Sequence, residues 1–150
     1  APVGYPMLTR FAHPHGVNDV QTAFPDLALV LAHAGHGGWE REAQAMAARH
    51  PGTYLELSNW NQDIDVDADA TAAAILAMRD AVGAHRILFG SDHFGGRRFS
   101  GRDELPRWID FLQDLPNRAP RLGSSISKEE IDLILGLNAA RVYSIPVAEA

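Results

Sequence analysis

The chain has 150 residues, of which 46% are hydrophobic and 21% charged, a composition typical of one globular domain with its own core. No stretch approaches the roughly 18 apolar residues that a membrane span requires, so we expect no membrane partner. The net charge of -6 argues against nucleic acid, and the lack of cysteine excludes a disulfide framework and a thiolate zinc site. Cytoplasm is the default location.

The first third of the chain predicts one helix and one strand. Residues 1–16 are rich in proline, glycine and histidine and are expected to be irregular. A short helix is expected over 17–23, because it must end before Pro25. An apolar strand follows at 28–32 and ends on His33. Such a run, bounded by turn residues, is typical of a strand buried on both faces of a parallel sheet.

The middle of the chain predicts a helix–strand–helix unit. A helix is expected between the glycine pair 37–38 and Pro51, because apolar residues recur there at helical spacing. A strand follows at 53–58, where β-favouring residues are concentrated. The alanine-rich stretch 68–82 predicts the next helix, and Gly83 suits its left-handed C-terminal turn.

Alternating aspartates precede that helix, at Asp63, Asp65, Asp67 and Asp69. Such spacing can indicate a calcium loop, but the glycine and terminal glutamate of an EF-hand are missing. A polar loop entering a helix is the better interpretation.

The last part of the chain predicts one more strand and two helices. The strand is expected at 87–90 and leads to Asp92. One helix is expected over about 104–115 with Asp103 as its cap, and a capping box starts another at Ser127. Strands that alternate with helices imply an α/β fold with about three parallel strands and right-handed crossovers. A complete eight-stranded barrel needs at least about 200 residues, so the chain is too short to form one alone.

Four stretches of this sequence resemble the amidohydrolase-related family, and within it the aminocarboxymuconate semialdehyde decarboxylase-like enzymes. They read FPDL and VLAHAG at 24–27 and 30–35, YLELS at 54–58, ILFGSD at 87–92 and NAARVY at 138–143. In that family the fold is a (β/α)8 TIM-type barrel that holds one or two divalent metals. The resemblance implies that residues 1–150 are a partial amidohydrolase-related domain, with barrel strands six to eight and the C-terminal helices. Those strands would end at His33, Ser58 and Asp92.

The same resemblance implies that some metal ligands lie outside this sequence. The family's His-x-His pair on strand one and its strand-five histidine would both precede residue 1. A complementary N-terminal polypeptide, as a separate subunit or a removed portion, would then complete the barrel. The expected partners are that polypeptide or further copies of the chain in a homo-oligomer. His13 and His15 superficially resemble the His-x-His pair, but a proline separates them and no strand precedes them. A loop pair is the better interpretation, and His13 is a weak substitute for the strand-five histidine.

Asp92 and His33 are the candidate catalytic and metal-binding residues. By resemblance, Asp92 binds a divalent metal, with zinc as the expected ion, or takes a proton from metal-bound water. Its alternative role is to cap the following segment. His33 either ligates a second metal or stays unligated as an acid/base or carbonyl polariser. One-metal members favour the second role, and the alternative without function is a core histidine bound to a backbone carbonyl.

Three loop residues are candidates for substrate binding. His36 and His93 come just after the first and third predicted strands, and Trp60 follows the second. The simpler interpretation is an exposed histidine in the first two cases and a partly buried tryptophan in the third. Arg97 or Arg98 could also clamp a substrate carboxylate through a bidentate contact.

The sequence therefore predicts a metal-dependent hydrolase or carboxy-lyase that acts on a small organic acid, lactone or amide. Hydrolysis would use a metal-bound hydroxide, with His33 polarising the carbonyl and Asp92 managing the proton. Decarboxylation would use the metal to orient the substrate, and the sequence does not decide between the two reactions. The alternative is a non-catalytic barrel fragment or interaction module whose exposed strand edge pairs with a partner chain. A small α/β domain binding an anion is a third option, but no phosphate-loop glycine motif supports it.

Overall fold

A computed structural model describes residues 12–93 and 104–147, and a three-stranded parallel sheet lies at its centre. The strands are β1 (Leu29–Leu31), β2 (Thr53–Glu56) and β3 (Ile87–Leu88), in that order across the sheet. Leu31 pairs with Leu55 of β2, which in turn pairs with Ile87 of β3. The predicted α/β class with three parallel strands is confirmed.

Each strand is shorter than the apolar run that predicted it. The β1 ladder stops before His33, whose φ of 65° turns the chain away from the sheet. The β3 ladder stops before Gly90, whose carbonyl accepts a hydrogen bond from the indole of Trp108 at 2.8 Å. The ladders of β1 and β3 therefore end just before residues whose backbone turns away from the sheet or is bonded outside it.

Helices connect and cover the strands. Two of them are crossovers between neighbouring parallel strands: α2 (Glu40–Arg49) joins β1 to β2, and α3 (Ile64–Val82) joins β2 to β3. The others are α1 (Gly16–Ala23), before β1, and α4 (Glu104–Gln113), α5 (Leu115–Arg118), α6 (Lys128–Asp132) and α7 (Asn138–Val142), after β3. A π-helical stretch, Leu133–Leu137, joins α6 to α7. No helix within the described ranges is long and apolar enough to cross a membrane.

Two helix starts illustrate how far local sequence determines these elements. Inside α3, Asp67 has a non-helical φ of -157°, and its Oδ1 accepts hydrogen bonds from the N–H groups of Asp69 and Ala70. Asp67 thus caps the regular part of α3, which is the stretch 68–82 that the sequence predicts. At α6 the predicted capping box is confirmed, because Ser127 and Glu130 bond each other's backbone N–H. Asp103, the expected cap of α4, lies outside the described residues.

The hydrophobic core lies between the sheet and the helices. Residues that pack together there are buried side chains of β2 and β3 (Leu55, Ile87), of α3 (Ile75, Met78) and of α4 (Trp108). Full burial of side chains of this size contributes roughly 1.5–3 kcal/mol each. This core keeps β2 and β3 in place beneath the loops that follow them.

The C-terminal helix is attached to β3 by a buried asparagine. Asn138 is fully buried, and its side-chain amide donates hydrogen bonds of 2.8 Å to the carbonyls of both Ala84 and Ile87. The NAARVY stretch, noted above for its family resemblance, therefore holds the start of β3 against the last helix.

The π-helical stretch supplies a second link, to the edge of β3 that faces away from β2. The N–H of Asn138 bonds the carbonyl of Leu133, five residues back, instead of the carbonyl of Ile134. The Ile134 carbonyl accepts the N–H of Phe89 at 2.9 Å. Because the peptide between Leu88 and Phe89 is trans, its C=O points to β2 and its N–H points outward to this helix.

Candidate active site

Polar groups follow all three strands at one edge of the sheet. His33 comes two residues after β1, Ser58 two residues after β2, and Asp92 four residues after β3. The carboxyl ends of parallel strands share one edge, which is where open α/β sheets and barrels place their ligands. His33 and Asp92 therefore lie beyond the same edge of the sheet. They follow β1 and β3, the two strands on either side of β2.

The backbone at this edge is unusual. Four non-glycine residues there have a positive φ: His33 (65°), Ala34 (47°), Asn59 (70°) and Asp92 (50°). A left-handed conformation costs an L-residue about 1–2 kcal/mol, although Asn, Asp and His tolerate it better than most. Such residues concentrate at functional sites and persist only where surrounding contacts hold them.

The carboxylate of Glu56, the last residue of β2, supplies several of those contacts. Its Oε1 accepts the N–H of Ser58 at 2.9 Å. Its Oε2 accepts the Ser58 hydroxyl at 2.6 Å and the backbone N–H of His33 at 3.1 Å. The carboxylate also lies directly against Gly90, because a Cβ at that position would overlap Oε1. Glu56 thus touches the ends of all three strands.

The sequence alone predicts no role for Glu56 or Ser58. A weak signal was present: a glutamate within an apolar strand, followed two residues later by a serine on the same face. Only the fold shows that both side chains turn towards His33.

The imidazole ring of His33 is held through one of its nitrogens. Nδ1 lies 2.6 Å from the hydroxyl oxygen of Ser58, which is only 5% exposed, and 3.2 Å from Nδ2 of Asn59. The carbonyl of His33 accepts the indole N–H of Trp60 at 2.9 Å. The ring of His33 therefore binds side chains. The alternative interpretation, a core histidine bound to a backbone carbonyl, does not describe it. Within the ranges that the structure describes, no hydrogen-bond partner faces Nε2.

Trp60 and His36, two of the predicted substrate-binding residues, lie next to this histidine. Trp60 is buried, with 4% of its surface exposed, and His36 packs edge-to-face on its ring at 5.2 Å. Nε2 of His36 lies 2.9 Å from Oδ2 of Asp63. Trp60 therefore supports the turn that carries His33, and contact of either residue with substrate stays a prediction.

Asp92 and His93, the other predicted residues, are exposed after β3. The N–H of His93 bonds the Ser91 hydroxyl oxygen at 3.3 Å. Among the described residues, no hydrogen bond or ion pair joins Asp92 to His33. Arg97 and Arg98, the candidate carboxylate clamp, lie outside the described residues.

A polar pair, Asn61 and Glu104, lies beside the end of β2. Asn61 is buried and donates a hydrogen bond from Nδ2 to Oε1 of Glu104, at the start of α4. The remaining acceptors of the pair, Oδ1 of Asn61 and Oε2 of Glu104, are buried and have no hydrogen-bond partner among the residues that the structure describes. A buried acceptor without a donor costs about 1–3 kcal/mol, so this pair is suited to bind an N–H or O–H donor.

The described residues do not by themselves fit a metal centre. In 12–93 and 104–147, no three His, Cys, Asp or Glu side chains come together as metal ligands. The calcium-loop alternative at the four aspartates has no ligand set there either, and three of them bind separate partners: Asp63 pairs with His36, Asp65 with Arg107 and Asp69 with Arg121.

Comparison with known proteins identifies the family. The model of the amidohydrolase family matches residues 2–145 of the chain. Neither a curated protein nor a solved structure matches it. Since the family match covers nearly the whole sequence, and includes the strand ends that carry His33 and Asp92, the chain belongs to the amidohydrolase family.

Proposed function

We propose that this chain contributes His33 and Asp92 to a metal-dependent amidohydrolase site that hydrolyses or decarboxylates a small organic acid, lactone or amide. The observation that supports the proposal is the set of hydrogen bonds that fix His33 in place. Its backbone N–H, its carbonyl and its Nδ1 are all bound, in a left-handed turn at the carboxyl edge of the sheet. A side chain held in this way is suited to catalysis, because general acids and bases must be accurately placed.

The proposed role of His33 is proton transfer rather than metal binding. In hydrolysis, the attacking water loses a proton, and the leaving oxygen or nitrogen gains one. In decarboxylation, the carbon that loses carbon dioxide must gain a proton. Imidazole accepts and donates protons near neutral pH, so one residue serves either reaction. His36, Trp60 and His93 are proposed to contact the substrate around it.

We also propose a divalent metal, with zinc as the expected ion, held by Asp92 and by ligands from outside the described residues. Carboxylate oxygen is an ordinary zinc ligand, and Asp92 is exposed at the shared edge of the sheet. Because the described residues lack a complete ligand set, we assign no step of the reaction to the metal.

The first experiment is to assay the protein against a panel of lactones, amides and carboxylic acids, with and without added zinc. His33→Asn should lower kcat about 100- to 10,000-fold on any substrate that is turned over, which is the usual contribution of a general acid–base group. His85→Asn is the matched control, because His85 lies in the turn before β3, at the opposite end of the sheet. Equal activity of His33→Asn and wild type would contradict the proposal.

Metal content gives a second, independent measurement. If further ligands come from another polypeptide, the purified chain should retain less than one zinc per molecule. Stoichiometric zinc that is lost in Asp92→Ala would instead show that this chain alone provides a sufficient site.

The second candidate is a non-catalytic fragment or interaction module, and the open side of β1 favours it. In the part of the chain that the structure describes, β1 pairs only with β2. Phe24 and Leu27, just before β1, are 63% and 46% exposed. Exposed strand edges and apolar side chains favour association with another chain, either a second copy or a complementary N-terminal polypeptide. Light scattering over a range of concentrations tests self-association, and a compact monomer throughout would contradict that form of the hypothesis.

A further inference from the structure

We propose that Glu56 and Ser58 are positioning residues that fix the tautomer of His33, so that Nδ1 carries the ring proton and Nε2 is free to exchange protons with substrate. The assignment of the tautomer depends only on contacts within the protein. Its catalytic consequence rests on the proposed function.

The proton on Nδ1 follows from the order of donors along the chain of hydrogen bonds. Glu56 accepts at both carboxylate oxygens, including the Ser58 hydroxyl at 2.6 Å. A serine hydroxyl has one proton, so after donating it to Glu56 its oxygen can only accept. The second contact of that oxygen, at 2.6 Å, is with Nδ1 of His33. Nδ1 must therefore donate, and in the neutral ring the lone pair is on Nε2.

Asn59 is the competing partner, and distance and donor inventory argue against it. Its Nδ2 lies 3.2 Å from Nδ1 of His33 and could donate only to an unprotonated nitrogen. That arrangement leaves the 2.6 Å contact between His33 and Ser58 without a proton, unless Ser58 abandons Glu56. Rotating the Asn59 amide to exchange its oxygen and nitrogen would break the 2.7 Å bond that its Oδ1 accepts from Gln62. The contacts of 2.6 and 2.7 Å are all satisfied together when Nδ1 of His33 carries the ring proton.

Glu56 also positions the backbone beneath the ring. The same Oε2 that accepts the Ser58 hydroxyl accepts the backbone N–H of His33. One carboxylate thus stabilises the left-handed turn at His33 and orients the hydroxyl that binds its ring. Gly90 makes this possible, since any side chain at that position would occupy the space of the carboxylate.

The consequence for chemistry is a defined direction of proton transfer. When Nε2 takes a proton from the reacting group, the ring becomes an imidazolium whose Nδ1–H still bonds Ser58. The negative charge of Glu56, one hydroxyl away, stabilises that cation. When Nε2 returns the proton to the product, the neutral Nδ1–H tautomer is restored, and no other reactant is needed.

The test is to observe the tautomer directly. The seven histidines are labelled with nitrogen-15, and long-range proton–nitrogen correlation spectra are recorded at alkaline pH, where free imidazole is neutral. The His33 signals are identified by their loss in His33→Gln. We expect Nδ1 of His33 to carry the proton in the dominant form. A dominant Nε2–H form in the wild-type protein would overturn the proposal without any need for a variant.

Three serine variants then test the role of the hydroxyl. Ser58→Ala should move the proton to Nε2, with Asn59 donating to Nδ1, while Ser58→Thr should restore the Nδ1–H form. Ser91→Ala is the matched control, because Ser91 lies at the same edge of the sheet but bonds only His93 in the described contacts. An unchanged His33 tautomer in a folded Ser58→Ala protein would overturn the proposal.

Kinetics separates this proposal from the proposed function. On any substrate that is turned over, Ser58→Ala should lower kcat with little change in KM. We expect a loss of about 10- to 100-fold, the size found when a partner that orients a metal-bound histidine is removed. Turnover that requires His33 but is unaffected by Ser58→Ala would refute the positioning role and leave the proposed function intact. If Nδ1 of His33 carries the proton but no substrate is turned over, the tautomer assignment stands and the proposed function is refuted.

Discussion

Replacing Gly90 with alanine tests whether Glu56 holds the edge of the sheet together. The new Cβ would overlap Oε1 and Cδ of Glu56, so the carboxylate must move. Moving Oε1 breaks the bond from the Ser58 N–H, and a hydrogen bond to a charged group contributes about 1.5–3 kcal/mol. The two bonds on Oε2 weaken as well, while the displaced carboxylate regains contact with water. We therefore expect the free energy of unfolding to fall by about 2–4 kcal/mol.

Urea unfolding followed by circular dichroism measures this change in free energy. In thermal unfolding, Tm should fall by roughly 4–16 °C for a domain of this size. Gly136→Ala is the matched control, because apart from its own helical turn no atom of the described residues lies within 4 Å of a Cβ at that position. In a Glu56→Ala background the cost of Gly90→Ala should largely disappear, since the group it displaces is gone. Equal unfolding free energies for Gly90→Ala and Gly136→Ala would refute the assigned place of the carboxylate.

Three further predictions concern stability away from this edge. Asn138→Ala leaves two buried carbonyls at β3 without a donor and should cost about 2–5 kcal/mol in urea unfolding. Asn18→Ala is the control, because this exposed amide makes a 3.3 Å contact with His50, and it should cost less than about 0.5 kcal/mol. Ser127→Ala removes the N-cap of α6 and should cost about 1 kcal/mol in thermal unfolding, and an unchanged Tm would contradict the capping role. The Asn117 amide, assisted by Arg118, holds the pKa of Asp114 below its ordinary value of 3.8. The ionised carboxylate therefore stabilises the folded protein above pH 3.8, and this stability is lost as the pH falls through the lower pKa of the folded state. Asp114→Asn should weaken the acid dependence of Tm, and an identical pH profile would count against the assignment.

The edge of the sheet at which His33 and Asp92 lie could be predicted, because it depends on local pattern, although each strand ends one or two residues earlier than expected. The apolar runs before His33 and Asp92 predict strands, and parallel strands must bring their carboxyl ends to one edge. The capping box at Ser127 and Glu130 is equally local, since its two partners lie three residues apart. Such features need only a few neighbouring residues and one geometric rule.

The hold on His33 could not be predicted, because it depends on contacts between distant residues. Glu56 reaches a backbone N–H that is 23 residues away, and only after a left-handed turn has pointed that group towards it. Its place also requires that the third strand present a glycine at position 90. Similarly, a buried clamp from Asn138 to residues 84 and 87 exists only once the last helix has packed against the sheet. None of these contacts leaves a periodic signal in the sequence.

The π-helical stretch makes the two borders of the sheet unequal. On the border at β3, the outward N–H of Phe89 is already occupied by the carbonyl of Ile134. An incoming strand would have to displace that helix before it could extend the sheet there, and the released carbonyl would need another donor. The border at β1 offers its backbone without such competition from the residues that the structure describes. If further strands complete a larger barrel around this sheet, they should therefore pair first with β1. Pairing at β3 should be slower, because the helix that holds Ile134 must be displaced first.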